Sequence, residues 1–148
     1  MRIDPVRERD IPDLVPMMGA YCDFYGVSPG TEKLETLART LLERPHEGAQ
    51  FIARDHAGDP AGFATVYWTW NTLVADRVGV LYDLFVRPRH RAHGVGRALV
   101  YRCLEAGRDR GVAGLAWDTA PDNATALRLY DSLPGARRGE WVSYWLDA

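Results

Sequence analysis

The stretch Leu84-Phe85-Val86-Arg87-Pro88-Arg89-His90-Arg91-Ala92-His93-Gly94-Val95-Gly96-Arg97-Ala98-Leu99 contains the end of an apolar strand, a basic turn and the start of a helix. The run leading into it, Val78 to Val86, carries Val78, Val80, Leu81, Leu84, Phe85 and Val86, too continuously apolar for a half-exposed strand. It predicts a central strand, stopped by Pro88. After the turn, Val95, Ala98, Leu99, Cys103, Leu104 and Ala106 form one buried face of a helix from about Gly94 to Arg110, closed by Gly111. Between Arg87 and Arg97 lie four arginines, two histidines and no acid. Gly94 and Gly96 let backbone N–H groups approach a ligand at the positive end of that helix. Together these features describe an anion site that suits a pyrophosphate. The plainer alternative is a solvated basic rim on a glycine turn.

Working outward, Met1 to Val6 predicts an edge strand, and Asp10 a cap for a helix bearing Ile11, Leu14, Val15, Met18, Tyr21 and Tyr25, ended by Gly26. Thr31 begins a second helix with Leu34, Leu37, Leu41 and Leu42, and Pro45 forbids its continuation. Strands are expected at 50–54 and 62–70 on either side of the turn His56-Ala57-Gly58-Asp59-Pro60. Past the central helix come a strand over 112–117, a helix over 123–132 and an aromatic strand over 140–146. The order βααβββαβαβ, without repeat or linker, predicts one α+β domain over residues 1–148.

The chain has 148 residues, 47% of them hydrophobic, enough for one core on both sides of a sheet. Twenty acids against 18 bases give a net charge of -2, which argues against a constitutive nucleic-acid or anionic-membrane coat. No apolar run approaches the length of a membrane span, and the first residues lack a signal-peptide core, so a cytoplasmic location is expected. Cys22 and Cys103 stand far apart outside any CxxC, and His46, His56, His90 and His93 show no ligand spacing, so no metal is expected. A dinucleotide fingerprint requires glycine or alanine where Gly94-Val95-Gly96-Arg97-Ala98-Leu99 ends in leucine, and a triphosphate loop requires the absent GK[ST].

Arg91-Ala92-His93-Gly94-Val95-Gly96 resembles the R/Q-x-x-G-x-G/A signature of the GCN5-related N-acetyltransferases (GNAT superfamily), preceded by the family's strand ending at Leu84 to Pro88. Asn123-Ala124-Thr125-Ala126-Leu127-Arg128-Leu129-Tyr130 resembles its second segment, N-x-x-A-x-x-L-Y. Tyr82 to Val86 and the Trp-rich strand before it look closest to the histone-and-polyamine acetyltransferase branch. The resemblance implies a three-layer α/β arrangement. Its mixed, mostly antiparallel sheet would have six to seven strands flanked by about four helices, splayed at an acetyl-CoA site. It also implies acetyl transfer to a primary amine, with acetyl-CoA as co-substrate. The backbone amides of Arg91, Ala92, His93, Gly94, Val95 and Gly96 would hold the pyrophosphate. Leu84, Phe85 and Val86 would pair with pantetheine, and a backbone N–H there would polarise the thioester carbonyl. Asn123 would reach the pantetheine arm, and Arg87, Arg89 or Arg97 the 3′-phosphate.

Direct attack by an amine requires a neutral nucleophile, a route for its proton and an acid for the departing thiolate. The resemblance offers Tyr130 as that acid, and a phenol of pKa ~10 is reasonably matched to a thiolate near ~8.5; the alternative is a tyrosine packing beneath the coenzyme. Asp83 falls on the face opposite Leu84 and is the candidate base or water-positioning group, against a hydrogen-bonded structural aspartate. Cys103 reads as core, and Cys22 beside Asp23 has no activating partner, so a covalent route is rejected. The acceptor pocket is expected between the first two helices and the strand Tyr67-Trp68-Thr69-Trp70. There Phe24, Tyr25, Trp68 and Trp70, with Tyr21, would box a cationic amine, and Asp23 and Asp83 would supply charge; only one face of the strand can do so.

The expected function is therefore an acetyl-CoA-dependent N-acetyltransferase with a sequential mechanism, acting on a polyamine, an amino-sugar or a protein lysine. An idle acyl-CoA sensor and a nucleic-acid-binding module are the alternatives, the latter opposed by the charge balance. Trp141, Tyr144 and Trp145 predict a strand suited to burial in a homodimer.

Overall fold

The computed structural model describes residues 1–148, with no helix long and apolar enough to cross a membrane. Met1–Asp118 and Thr119–Ala148 form two compact units. In the first, β1 (Arg2–Pro5), β2 (Gly48–Arg54), β3 (Pro60–Asn71), β4 (Asp76–Val86) and β5 (Leu115–Ala116) make one sheet in chain order. The first three pairings are antiparallel, and β5 runs parallel to β4. The helices of this unit are α1 (Ile11–Phe24), α2 (Thr31–Glu43) and α3 (Val95–Asp109); the second unit holds α4 (Ala124–Asp131).

The two-residue period of the strands sorts their side chains by face. Ile52, Phe63 and Phe85 stand opposite one another in register and meet Leu14, Val15, Met17 and Met18 in one buried cluster, so α1 lies on this face. The other face carries Phe51, with the Arg102 guanidinium of α3 4.7 Å over its ring, and Trp68, with that of Arg110 at 5.0 Å. Gly79 is required here, because a Cβ would lie 2.6 Å from Leu115 Cδ2 and 3.0 Å from the Trp68 ring.

The sheet thus has five strands, where six to seven were expected, with four α-helices as expected. The expected strand over 112–117 contracts to Leu115–Ala116, and none forms over 140–146. Aromatic content raises strand propensity, yet a strand exists only through a paired ladder. Trp141, Tyr144 and Trp145 are instead 80–93% exposed.

Asp10 also acts differently from the expectation. Its carboxylate accepts from Arg7 N at 3.0 Å, closing the 3₁₀ turn Glu8–Asp10, and makes no cap bond to α1. Arg54 Nη2 reaches Asp10 Oδ1 and Asp13 Oδ2, each at 2.8 Å, and ties β2 to α1. Burial pushes the Asp10 carboxyl up, but the bonds from Arg54 and the Arg7 N–H outweigh it and leave the pKa below the usual value of 3.8. Because its folded value is depressed, this group stabilises the chain above pH ~4 and loses that contribution as pH falls through the folded value. Arg54→Met strands a buried carboxylate and is expected to cost about 3 kcal/mol, roughly 10 °C in melting temperature at pH 7, with a smaller loss in acid. An equal loss at both pH values would refute the pairing as the cause.

Candidate active site

β4 pairs with β3 along its whole length, but with β5 only at Gly79 and Val80. Beyond Val80 its second edge has no strand partner. The orientation of the peptide groups follows from the ladder. Arg87 N donates to Ala61 O at 2.9 Å, so the alternation turns the N–H groups of Leu84 and Val86 away from β3, toward the open edge. The Val86 carbonyl on that side accepts from Arg91 Nε at 3.0 Å. The signature arginine therefore braces the end of the strand with its side chain.

The turn that follows contains two left-handed residues, Ala92 at φ 61° and Gly94 at φ 79°, before α3 begins at Val95. The first intrahelical bond is Ala98 N to Gly94 O, so the N–H groups of Val95 and Gly96 precede the helical ladder. The first turn of α3 holds no acid, and nothing lies within 4 Å of where a Gly94 Cβ would point. His93 Nδ1 donates to the Arg91 carbonyl at 2.6 Å and tightens the loop. His90 and Arg89 pair with Asp55 (3.0 Å) and Asp59 (3.6 Å) of the β2–β3 hairpin. This cradle fits a pyrophosphate through oriented backbone donors.

Asp83 sits on the α1 face because of a bulge. Thr65 stands opposite Asp83 and Val66 opposite Leu81, so Tyr82 is the extra residue on β4. A bulge sends two consecutive side chains to one face. Tyr82 packs edge-on against Tyr67 at 5.4 Å, its carbonyl accepts from the Tyr21 hydroxyl at 3.4 Å, and the Thr65 and Tyr21 hydroxyls both face the Asp83 carboxyl. Burial pushes the Asp83 carboxyl above the ordinary value, while those two donors oppose the rise. Tyr67 is pushed up to about 12 by burial, then by Asp83 and Tyr82. Sequence reasoning missed Thr65 as a site residue; a polar residue in the apolar run Phe63 to Val66 was the available signal.

The acceptor-side expectations divide by face. Tyr25 packs edge-to-face against both Tyr21 and Phe24, with centroids 5.1 Å apart in each pair, and Phe24 and Tyr25 are exposed beside the exposed Asp23. Trp68 is only 6% exposed and packs toward α3, and Trp70 follows it to that side with Arg77 5.8 Å over its ring. Strand alternation carries both tryptophans away from Asp83 and brings Tyr67 to it, a correction to the expected box. The Cys22 thiol is pushed up by burial, then by Asp83 and Asp23, and burial pushes Cys103 to about 12, so neither is an activated thiolate. No group of His, Cys, Asp and Glu is placed to hold a metal ion. In the second unit, Asn123 caps α4 by accepting from Ala126 N at 3.1 Å, and Tyr130 follows seven residues later, on the same side of that helix.

A mixed sheet with one strand edge open beside an acid-free helix start is the plan of an acyltransferase. The chain belongs to the acetyltransferase (GNAT) family, whose model matches residues 15–133. It is 28% identical over 99% of its length to an uncharacterised N-acetyltransferase of Bacillus subtilis (strain 168), covering 97% of that protein. It is 33% identical to a thialysine N-epsilon-acetyltransferase of Caenorhabditis elegans over 51% of this chain and 46% of that one. Among solved structures, a probable acetyltransferase superposes with a TM-score of 0.86 at 25% identity, covering 100% of this chain and 98% of that one. An aminoglycoside acetyltransferase, AAC(6')-Iy, bound to a CoA bisubstrate analogue, superposes at 0.87 with 21% identity (99% and 97% covered), a likeness of fold.

Proposed function

We propose that this enzyme uses acetyl-CoA and transfers the acetyl group directly to a primary amine of a small cationic acceptor, a polyamine or an amino-sugar. The carrying observation is the open edge of β4, which leads from the Leu84 and Val86 N–H groups into the acid-free cradle at Ala92 to Arg97. Bound along that edge, acetyl-CoA supplies an acyl group activated as a thioester. The chain provides outward N–H donors for the pantetheine amides and thioester oxygen, and backbone donors for the phosphates. Asp83, raised by burial yet held by two donors, takes the proton of the incoming ammonium, through water or directly. Asn123 spends its oxygen on the α4 cap, which leaves its amide N–H groups for the pantetheine arm.

Tyr130 is the candidate acid for the thiolate. Tyr130→Phe is expected to lower turnover at saturating acetyl-CoA by roughly tenfold or more with little change in coenzyme affinity; equal turnover would return Tyr130 to packing. Protein lysine remains the larger acceptor to compare. The cationic small-molecule class is favoured by the aromatic cluster Tyr21, Phe24 and Tyr25 beside Asp23, and by relatives named for thialysine and aminoglycosides. The assembly we propose is a homodimer covering Trp141, Tyr144 and Trp145, which sedimentation would register as a doubled mass.

The test is calorimetric titration with acetyl-CoA, then thiol release with polyamines, aminoglycosides, amino acids and lysine peptides. Binding with amine-dependent release supports the reading and names the class. Binding without release from any amine points to a coenzyme sensor. No binding overturns it.

A further inference from the structure

Asp83 is the end of a buried polar row that crosses three strands. Gln50 on β2 stands opposite Thr65 on β3, and Thr65 opposite Asp83 on β4. Thr65 is fully buried and Gln50 is 4% exposed, with apolar rows on either side of them. Gln50 Nε2 donates to Thr65 Oγ1 at 3.1 Å and lies 3.8 Å from Met18 Sδ. A hydroxyl carries one proton, and with its oxygen already accepting from an amide, that proton is directed onward. The carboxylate across the ladder from Thr65 is Asp83, its register partner on β4.

We propose that Gln50 and Thr65 are positioning residues for Asp83, a one-way hydrogen-bond relay in which the Gln50 amide orients the Thr65 hydroxyl and the hydroxyl holds Asp83 as an aimed carboxylate. A structural role alone does not account for Gln50. Its Oε1 is buried without a hydrogen-bond partner, a cost that an apolar side chain of the same length would remove. The residue points its donor along the row that ends at Asp83. The bulge at Tyr82 completes the device, since an unbulged β4 would set Tyr82 opposite Thr65 and break the row.

Burial has the largest influence on the Asp83 carboxyl, and the relay works against it among the groups that face Asp83. From α1 come the Tyr21 hydroxyl and the Cys22 thiol, with the exposed Asp23 next in sequence; from β3, Tyr67; from β4, the adjacent Tyr82. Cys22 and Tyr67 are both pushed up and stay neutral in the range where a carboxyl titrates. Asp23 is the charge that remains, and water screens it.

The inference rests on the functional reading of Asp83, and its test separates the two. The Asp83 carboxyl is titrated by carbon NMR in the free, full-length chain, without turnover. Thr65→Val is expected to bind the Asp83 proton roughly tenfold more tightly than the native chain, because the donor to the charged form is gone. Thr65→Ser restores the native midpoint. Gln50→Met shifts it in the same direction by less, with a melting temperature equal to or above native, and this variant decides the matter should Thr65→Val fail to fold. Turnover on the acid side of the pH profile should fall in step. An Asp83 midpoint unmoved in Gln50→Met and in folded Thr65→Val overturns the relay, whatever Asp83→Asn does to turnover; full activity in Asp83→Asn overturns the base and leaves the NMR result standing.

Discussion

Gly94→Glu is expected to abolish measurable acetyl-CoA binding, a loss on the order of 100-fold or more in affinity. Gly94 sits at φ 79° as the N-cap of α3, with open space where its Cβ would point. A carboxylate placed there competes for the donors of Val95 and Gly96 and repels a pyrophosphate. Part of any effect comes from the backbone, since a non-glycine residue in the left-handed region costs ~1–2 kcal/mol. Gly94→Asn separates the contributions, because asparagine tolerates that region and brings no charge. The Asn variant should retain most of the affinity. Gly96→Glu is expected to act like Gly94→Glu from one residue inside the helix. Unchanged coenzyme affinity in both Glu variants would remove the phosphate cradle from this turn.

The second large effect belongs to Asp83. Asp83→Asn should lower turnover on the order of 10²- to 10⁴-fold, the range for a positioned base, with acetyl-CoA binding retained. In the native chain turnover should decline as pH falls through Asp83's own value, which lies above the ordinary 3.8. The stability effect has the opposite sign. A carboxyl whose folded pKa is raised makes stability fall as pH rises from the unfolded to the folded value, and the penalty persists above it. Asp83→Asn removes that penalty, so its melting temperature at pH 7 should equal or exceed the native one. Lower activity together with lower stability would mark Asp83 as a structural aspartate.

These two residues differ in how much of their role could be read from the chain. The turn Arg87 to Arg97 is local: glycine positions, the lack of acids and the helix start are set by residues adjacent in sequence, and α3 begins at Val95 after the left-handed Gly94. That Asp83 faces away from Leu84 also followed from alternation. Its Thr65 and Gln50 partners did not, because the Tyr82 bulge shifts the register and such a shift leaves no local signature. The tryptophans show the same limit, since which of Tyr67 and Trp68 faced the acceptor side depended on which helix covered which face.

By itself the sequence determined the elements from β1 to α4 and the chemistry of the anion turn, because helical periodicity, strand alternation, proline stops and glycine turns act over a few residues. Tertiary structure alone decided how many strands pair and how far. β5 meets β4 over two residues, and the aromatic segment over 140–146 forms no strand. Pairing joins segments distant in the chain, so propensity proposes a strand and only a partner makes it one. The same long-range pairing stopped early on one edge of β4, and left the Leu84 and Val86 N–H groups on an edge without a strand partner.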